Sequence, residues 1–555
     1  MSVQVAAVGN VEGRERSLMP RLLLVVLAAT FLLHLLVVAE PFGRDQGIFG
    51  YIAQTILRGG VPYRDAWDHK PPGLYAVYAL AFALFGQAMP SVHLMEGIAL
   101  MIGAFFLYLV SRRLHGDAVG LLGALLYGVS ATLLFEWWDR GQAEIYMGIT
   151  GTIAVYALLR GLDTRGNLAI LACGFFCGLT VCFKPSGIFL VAGLGLALFL
   201  FYRPVNVRDT AGVLGALAIG FSTSFIPLLA YFAANGALND LYQAVIVFNT
   251  YHARIGGNPT LAGIVTGTLD FLASMNFLTP LALVGLWAVL KLPTSIPSTA
   301  GGTRVRVMGR VGMAAVIMPI WLLASAAGIW TQGKFFSYHW SPVLPPLALL
   351  AAWGITLLAR EIRQARGNMV RALIAAVCLA VAAIYATALV RDHAPKWTRD
   401  AGYLLGHTTS EQYLANFAHN IEGRDVYSFL ETQQTAQYLR EHSSADDRVL
   451  IWGFQALVNF LADRRAPTRY IFTYPLTFDR PESAFRVEAR RTFLRDLRNQ
   501  PPLYIVLVTN DVNPLQAVDS YSLLAGFPEF QQVIRQQYRL ERDIGDFHLY
   551  RRIDA

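Results

Sequence analysis

The chain has 555 residues, of which 55% are hydrophobic and only 15% are charged, and its mean hydropathy is +0.44. These values exclude an ordinary soluble enzyme and predict a polytopic membrane protein. The formal net charge of +8 would suit a nucleic-acid-binding protein, but Lys and Arg occur in short clusters between apolar runs. Such clusters indicate membrane orientation, so no nucleic-acid partner is predicted. The four cysteines lie in apolar segments, and no disulfide framework is expected.

Apolar runs dominate the first 390 residues. The run at 20–39 is longer than the hydrophobic core of a cleaved signal peptide, so it is interpreted as a retained membrane anchor. Ten further runs of about 18 to 24 residues carry few charges, which predicts eleven transmembrane helices in all. These ten runs are 92–111, 118–135, 145–161, 167–183, 187–202, 211–233, 266–290, 311–330, 340–358 and 370–390.

Basic residues set the predicted orientation. With an N-terminal tail (1–19) in the cytoplasm, every inner segment carries Arg or Lys, as at Arg112, Arg113 and Lys291. The short apolar run at 73–86 is predicted to be a helix at the outer membrane surface, because counting it as a span would reverse this bias. The sequence therefore predicts a multi-pass protein of the inner (plasma) membrane.

The remaining charges collect on the outer side. The first outer loop, 40–91, contains "GRDQG" and "RGGVPYRDAWDHKPPG". Later outer loops add Glu136, Asp139, Arg140, Glu144, Lys184, Asp240, His252, Arg254, Lys334 and His339. Charges at the ends of spans line a wet cavity or lie at head-group level. Because both signs converge here, the pattern favours a polar cavity at the outer leaflet over separate solvated loops.

The composition changes after residue 390. Predicted strands at 448–454, 469–475 and 503–511 alternate with helical patterns at 429–443, 481–499 and 514–525, and "IGD" predicts the turn of a terminal hairpin. An odd number of spans places this α/β domain, 391–555, on the periplasmic or extracellular side. It contains no nucleotide-binding, metal-binding or nucleophile-elbow motif, so it is predicted to shape or cover a site.

The first outer loop resembles that of the polyprenyl-phosphate-sugar-dependent glycosyltransferases of the glycosyltransferase C superfamily. These are relatives of protein O-mannosyltransferases, lipid A aminoarabinose transferases and rhizobial galacturonosyltransferases. In that family a loop Asp soon after the first span is the catalytic base, and "KPP" precedes a surface helix; the matching residues are Asp45 and Lys70 with Pro71 and Pro72. The Pro-rich stretch "YHWSPVLPPLALLAAWG" (338–354) is also similar to a family pattern. The resemblance implies a transferase domain over 20–390.

The resemblance implies an inverting transfer of a sugar from a polyprenyl monophosphate to a lipid, glycan or protein hydroxyl. Because phosphate is a good leaving group, such a site needs a general base, for which Asp45 is predicted, and cations at the phosphate. Lys70 is the first candidate for the donor phosphate. Arg254, Lys184 and Lys334 are weaker candidates, and a snorkelling role at the membrane surface is the alternative for Lys184.

Asp139 and Glu136 are candidates for a second acidic or acceptor site, beside two tryptophans that also suit an interfacial belt. The chain departs from the family at Gln46, where relatives carry an acidic residue, and at His69, where the aminoarabinose transferases carry Glu. His69 and His252 remain candidates for a divalent metal ion, with ordinary hydrogen bonding as the alternative. No other cofactor is expected.

Two alternative functions agree less well with the sequence. A transporter or flippase of lipid-linked sugars would show inverted repeats and charges at the membrane midplane, which the sequence does not show. An assembly scaffold would leave the charges of the first outer loop without a purpose. The donor sugar and the acceptor stay open.

Overall fold

The computed structural model describes residues 2–164, 166–201, 207–255, 260–275, 277–292, 296–300, 303–307, 310–364, 369–421, 424–478, 483–514 and 516–554. Within these residues, seven helical segments are long and apolar enough to cross a membrane, or eight if one bent pair counts as a single span. The chain is therefore a multi-pass helical membrane protein. The predicted count of eleven spans is not established.

The helical part contains seventeen helices and one two-stranded antiparallel sheet in the described ranges. The elements are α1 (Ser2–Leu35), α2 (Arg44–Leu57), α3 (Gly73–Phe85), α4 (Met89–Leu114), α5 (Asp117–Leu133), α6 (Ala143–Thr164), α7 (Asn167–Phe183), α8 (Ile188–Phe201), α9 (Val207–Thr223), α10 (Ile226–Ala234), α11 (Leu238–Tyr242), α12 (Asn249–Ile255), α13 (Leu261–Ser274), α14 (Leu278–Leu290), β1 (Ile296–Ala300), β2 (Thr303–Val307), α15 (Arg310–Trp330), α16 (Leu344–Arg363) and α17 (Met369–Leu404). A helix occurs at each of the eleven predicted apolar runs. The helices α5, α7 and α8 are 17, 17 and 14 residues long, which is short for a span.

Two predicted spans are interrupted. The run at 266–290 was expected to be one helix, but α13 and α14 meet at 109°. The break is held locally, because the Thr279 hydroxyl donates to the Leu272 carbonyl at 2.6 Å and Pro280 in the first turn of α14 has no N–H to continue the α13 ladder. The run at 211–233 likewise falls on two helices, α9 and α10, which still pass together as one candidate span.

A short helix, α3, forms within 73–86 as predicted, and its 13 residues are about 20 Å long, too short to cross a bilayer core. Its location at the outer membrane surface stays a prediction. In contrast, α17 has 36 residues and continues past the predicted domain boundary at residue 390. Its extension carries Lys396 to Glu136, so the end of the last span is tied to the second outer loop.

Small residues allow the closest helix pairs to touch backbone to backbone. A Cβ atom added to Gly220 of α9 would lie 2.0 Å from the carbonyl oxygen of Leu171 in α7. A Cβ added to Gly354 of α16 would lie 2.1 Å from the carbonyl oxygen of Leu281 in α14. Such approach replaces the hydrophobic driving force that is missing between helices in lipid.

The C-terminal part is a small α/β domain built around a four-stranded sheet of order β5-β6-β8-β7. Its elements are α18 (Ser410–Leu414), β3 (Ala418–Ile421), β4 (Arg424–Ser428), α19 (Phe429–Glu441), β5 (Val449–Trp452), α20 (Leu457–Ala462), α21 (Tyr474–Thr477), α22 (Ala484–Asn499), β6 (Tyr504–Val508), α23 (Ser520–Leu523), α24 (Pro528–Gln537), β7 (Tyr538–Ile544) and β8 (Phe547–Arg552). The pair β5–β6 is parallel, and β6, β8 and β7 are antiparallel. The terminal hairpin turns at Gly545, whose φ is +52°, as the "IGD" motif predicts.

One predicted strand is wrong. Residues 469–475 do not join the sheet; they form an irregular segment that leads into α21. The carbonyl of Arg469 instead accepts from the backbone N–H of Trp67, at 2.7 Å. Tyr470 and Phe472 pack around the same indole, with ring centroids 6.2 and 5.9 Å away. The segment is buried, but it packs against the first outer loop and not in the sheet.

The C-terminal domain lies directly on that loop. Gly47 of α2 faces Leu457 of α20 so closely that an added Cβ would be 2.5 Å from the leucine Cβ. The Tyr427 hydroxyl donates to the Phe42 carbonyl at 3.1 Å, and Arg44 donates to the Val512 carbonyl at 2.9 Å. The domain is thus fixed to the start of α2.

Candidate active site

Asp45 and Lys70 meet at the N-terminal end of α2. The Lys70 Nζ donates to Asp45 Oδ2 at 3.0 Å, and it lies 3.4 Å from Gln142 Oε1 of the second outer loop. It also lies 4.1 Å from the centre of the Phe49 ring, a cation–π distance. Burial opposes the charge of Lys70, but Asp45 and then Asp68 outweigh it and raise the pKa of the ammonium. Lys70 is therefore a cation at neutral pH.

The first turn of α2 holds Asp45 where a carboxylate is favoured by the helix dipole. The Asp45 side chain is 41% exposed, so it is open to a solute. The following residue, Gln46, is fully buried and donates to the carbonyls of Trp137 and Arg140 at 3.1 and 2.9 Å. The Gln46 amide can donate these hydrogen bonds, whereas an ionised acidic side chain at this position could only accept them. Gln46 thus joins the two outer loops.

A second ion pair lies beside the first. Lys184, in the turn between α7 and α8, binds the Glu144 carboxylate, and His339 Nε2 lies 3.5 Å from the same Oε1 atom. Burial lowers the pKa of Lys184; Glu144 opposes the shift, and the charge of Lys70 adds to it. Because Lys184 is bound to an acidic residue in this cluster, the snorkelling alternative does not describe its position.

A third lysine comes from the segment before α16. Lys334 Nζ contacts His252 Nε2, and its carbonyl accepts from His339 Nδ1. Burial, followed by repulsion from Lys184, lowers the pKa of Lys334 to about 8. Lys70, Lys184 and Lys334 therefore form one electrostatically coupled group. The carboxylates of Asp45, Asp68 and Glu144 are the counter-charges of this group.

The imidazoles of His69 and His252 lie close together, with ring centroids 5.0 Å apart. Both nitrogens of His252 are engaged, because Nδ1 lies 2.9 Å from the Tyr474 hydroxyl and Nε2 faces Lys334. An ammonium at the second nitrogen competes with any metal. In the described ranges no group of three or more His, Cys, Asp or Glu is arranged to hold a metal ion. These residues do not fit a divalent metal site.

Asp139 and Glu136 are separate from the Asp45 and Lys70 pair in their contacts. Ser337 donates to Asp139 Oδ2 at 2.6 Å, while Lys396 binds Glu136 at 2.8 and 2.9 Å. Burial raises the pKa of Asp139 to about 6. The adjacent Trp138 stacks on His419 at 4.5 Å, so this loop contacts the C-terminal domain and not an interfacial belt. Its role as an acceptor site stays a prediction.

Arg254 lies in α12, but its side chain falls outside the described residues. The carboxylates of Asp65 and Asp68 are held within the first outer loop. Asp65 accepts from the Val61 N–H at 2.7 Å, and Asp68 accepts from the Tyr75 hydroxyl at 2.7 Å. They order the loop that presents Lys70.

The sequence predicted that Glu144 and His339 lie on the outer side but did not identify them as site residues, and it gave no prediction for Gln142. Glu144 follows the "WWDR" stretch by four positions, and His339 lies in "YHW" before the Pro-rich helix. Proximity to already chosen residues was the available signal. Their pairing with Lys184 and Lys70 depends on contacts between distant loops, which no local motif encodes.

Residues 69–231 match the family described as dolichyl-phosphate-mannose-protein mannosyltransferase. The matched segment includes Lys70, Asp139, Glu144 and Lys184, and it begins after Asp45. An uncharacterized protein of Aquifex aeolicus (strain VF5) is 26% identical over 215 residues, which are 37% of this chain and 47% of that protein. The chain thus spans about half the length of this relative.

Two solved structures share the fold. ArnT from Cupriavidus metallidurans bound to undecaprenyl phosphate is 13% identical, with a TM-score of 0.55 over 96% of this chain and 97% of ArnT. The apo state of the same protein gives a TM-score of 0.51 at 13% identity over 98% of each chain. The chain therefore shares the fold of this membrane protein. Together with the family match over residues 69–231, the shared fold confirms the resemblance to the polyprenyl-phosphate-sugar-dependent glycosyltransferases of the glycosyltransferase C superfamily.

Proposed function

We propose that this protein is an inverting glycosyltransferase that moves a sugar from a polyprenyl monophosphate to a hydroxyl of a lipid, glycan or protein. One observation carries the proposal: the exposed carboxylate of Asp45 lies beside the ammonium group of Lys70, which belongs to an electrostatically coupled group of three lysines. A base next to a group of cations is what displacement of a phosphate requires. The similarity to a structure bound to undecaprenyl phosphate supports the choice of donor.

In the proposed reaction the acceptor oxygen attacks the anomeric carbon while its proton passes to Asp45. The bond between that carbon and the phosphate oxygen breaks, and its electron pair leaves with the polyprenyl phosphate. A single displacement inverts the anomeric configuration. General-base catalysis of this kind contributes about 10² to 10⁴-fold. The lysines stabilise the charge that develops on the leaving phosphate.

Lys70 has two roles in this scheme. Without donor its ammonium neutralises Asp45, and with donor it binds the phosphate oxygens instead. Phosphate is a strong charge-assisted acceptor, so this exchange of partners is favourable. It frees the Asp45 carboxylate as a base when the donor is present. Lys184 and Lys334 approach the same phosphate from the α7–α8 turn and from the segment before α16.

The site is proposed to open to the periplasmic side of the inner membrane. The contributing segments are all predicted outer loops, and the structure brings them to the end of the bundle that carries the C-terminal domain. The predicted inner loops also meet, as the ion pair of Arg113 with Asp163 shows. We propose 20–390 as the transferase domain and 391–555 as a periplasmic domain that covers the site.

The test compares membrane lipids and surface glycans by mass spectrometry in cells with and without the gene, complemented by wild type, Asp45→Asn or Asp446→Asn. Asp446 is an exposed carboxylate of the C-terminal domain and serves as the matched control. Loss of the gene should cause a lipid-linked sugar to accumulate and one glycan decoration to disappear. Asp446→Asn should restore the decoration, and Asp45→Asn should not.

Donor binding separates the enzyme from a flippase. Purified Asp45→Asn should bind the polyprenyl monophosphate sugar as wild type does while forming no product. A flippase would instead move the lipid across vesicle membranes with its glycosidic bond intact. Transfer by Asp45→Asn at the wild-type rate would contradict the proposed base.

A further inference from the structure

A polar cavity lies between the first outer loop and the C-terminal domain. It has a volume of about 480 Å³ and is formed by the C-terminal end of α2, the loop after it, the segment around 465–469 and the end of α22. This size is within the range of small-molecule binding sites. Its lining includes the six arginines Arg58, Arg64, Arg448, Arg465, Arg469 and Arg495.

Four of these arginines are neutralised by a neighbouring carboxylate. Arg64 pairs with Asp65 at 3.0 Å, Arg469 with Asp240 at 2.8 Å, and Arg495 with Asp496 at 3.1 Å. Arg58 pairs with Asp463, the residue that follows α20. Positive charge is therefore concentrated here and is balanced only in part.

The other two arginines, Arg448 and Arg465, form no side-chain hydrogen bond or ion pair in the part of the chain that the structure describes. Their backbones are bridged in parallel, and the Val449 N–H donates to the Arg465 carbonyl at 3.1 Å. Two guanidinium groups that line the cavity are therefore without a counter-ion among the described residues.

A buried tyrosine adds a neutral donor. The Tyr51 hydroxyl lines the cavity and accepts from the Ala466 N–H at 2.8 Å, so its own proton is free to be donated. Burial raises the pKa of Tyr51, although Arg448 and two other arginines oppose the shift. The phenol is protonated at neutral pH. Together with Arg448 and Arg465, this donor suits an oxyanion.

We propose that this cavity binds a phosphate-bearing head group, held by Arg448 and Arg465 with Tyr51 as a further donor. Guanidinium groups recognise phosphate through two parallel hydrogen bonds, which favours phosphate over a monovalent anion. The cavity is distinct from the Asp45 and Lys70 site, because it lies towards the C-terminal end of α2, whereas Asp45 lies in the first turn of that helix. The proposal does not rest on the transfer reaction.

The test uses full-length protein in nanodiscs and isothermal titration calorimetry with inorganic pyrophosphate. All variants carry Lys70→Met, so that the lysine site beside Asp45 contributes less. Arg448→Ala with Arg465→Ala should weaken pyrophosphate binding on the order of 10- to 100-fold. Arg539→Ala removes an exposed arginine of the same domain away from the cavity and should bind as its parent does.

Two comparisons keep the result interpretable. Arg465 is exposed, so the single Arg465→Ala variant tests the site even where the double variant does not fold. Nanodiscs of phosphatidylcholine alone are compared with nanodiscs that contain phosphatidylglycerol. Competition by phosphatidylglycerol would identify a lipid head group as the occupant, and its absence would identify a soluble or glycan phosphate. Equal affinity of Arg465→Ala and Arg539→Ala, or no measurable pyrophosphate binding by the parent, would overturn the proposal.

Discussion

The ammonium group of Lys70 lies 3.0 Å from the Asp45 carboxylate, although the two residues are 25 positions apart and α2 separates them in the chain. The contact forms because "RGGVPYRDAWDHKPPG" folds back along α2. The Tyr63 hydroxyl fixes this return by donating to the Lys70 carbonyl at 2.8 Å. The proposed base and the proposed phosphate ligand are thus presented by one rigid loop.

Replacement of Lys70 should reduce donor binding and leave the fold intact. In Lys70→Met the phosphate loses a charge-assisted bond, and Asp45 loses its counter-ion. Because the pair is partly exposed, its loss should cost no more than about 1 kcal/mol of stability. Affinity for polyprenyl monophosphate and the Tm in detergent measure the two effects. Unchanged affinity would show that Lys70 does not contact the phosphate.

Donor binding should weaken as the pH rises through about 8. Lys334 has a pKa near 8, lowered by burial and by Lys184, so it becomes neutral above that pH and no longer attracts an anion. Bound phosphate stabilises the ammonium, which moves the midpoint upward in the complex. Affinity measured between about pH 7.5 and 10 should show this decrease in wild type.

In the same pH series, Lys334→Met should lose the decrease around pH 8, because the group with a pKa near 8 is absent. Lys291→Met is the matched control: that lysine is exposed and lies over the Trp287 ring, 4.0 Å from its centre. A decrease that persists in Lys334→Met would assign the titration to another group.

Because of Asp139, the free energy of unfolding should fall as the pH rises from about 4 to 6. Its folded pKa is about 6, raised by burial above the usual 3.8, so the folded state binds a proton more tightly than the unfolded state in this window. The cost of burying the ionised Asp139 carboxylate is absent at low pH, grows as the pH rises to about 6, and is constant above that pH. The shift corresponds to roughly 2 to 3 kcal/mol.

Asp139→Asn tests this directly, because the amide oxygen still accepts from Ser337 and does not ionise. Its Tm at pH 7 should be equal to or higher than that of wild type, and its dependence on pH between 4 and 6 should be weaker. Asp446→Asn should leave the wild-type profile in place. A lower Tm of Asp139→Asn at pH 7 would mean that the ionised carboxylate stabilises the fold.

Gly47→Ala should displace the C-terminal domain from α2. The added Cβ would be 2.5 Å from the Leu457 Cβ and 3.0 Å from its Cα, so side-chain movement alone does not relieve the contact. Overpacking of this kind costs about 1 to 3 kcal/mol, and the shift should also reduce transfer because Asp45 is two residues away. Gly215→Ala in α9 is the control, since nothing lies within 4 Å of its added Cβ. Equal Tm and activity of the two variants would contradict a tight contact here.

Much of this protein was readable from its sequence because the relevant signals are local. Apolar length and basic clusters predicted a helix at every span, and Gly545 with the alternating pattern around it predicted the terminal hairpin. The loop motifs selected Asp45 and Lys70.

What covers a segment, and which charge meets which, was decided by tertiary structure. Residues 469–475 pack on Trp67 rather than on a strand, because hydrophobic burial is not directional. Glu144 pairs with Lys184 through a contact between segments far apart in the chain, and among the described residues Arg448 and Arg465 have no side-chain partner. Electrostatic pairing depends on distances of a few ångströms, and such distances exist only after the loops and the C-terminal domain have packed.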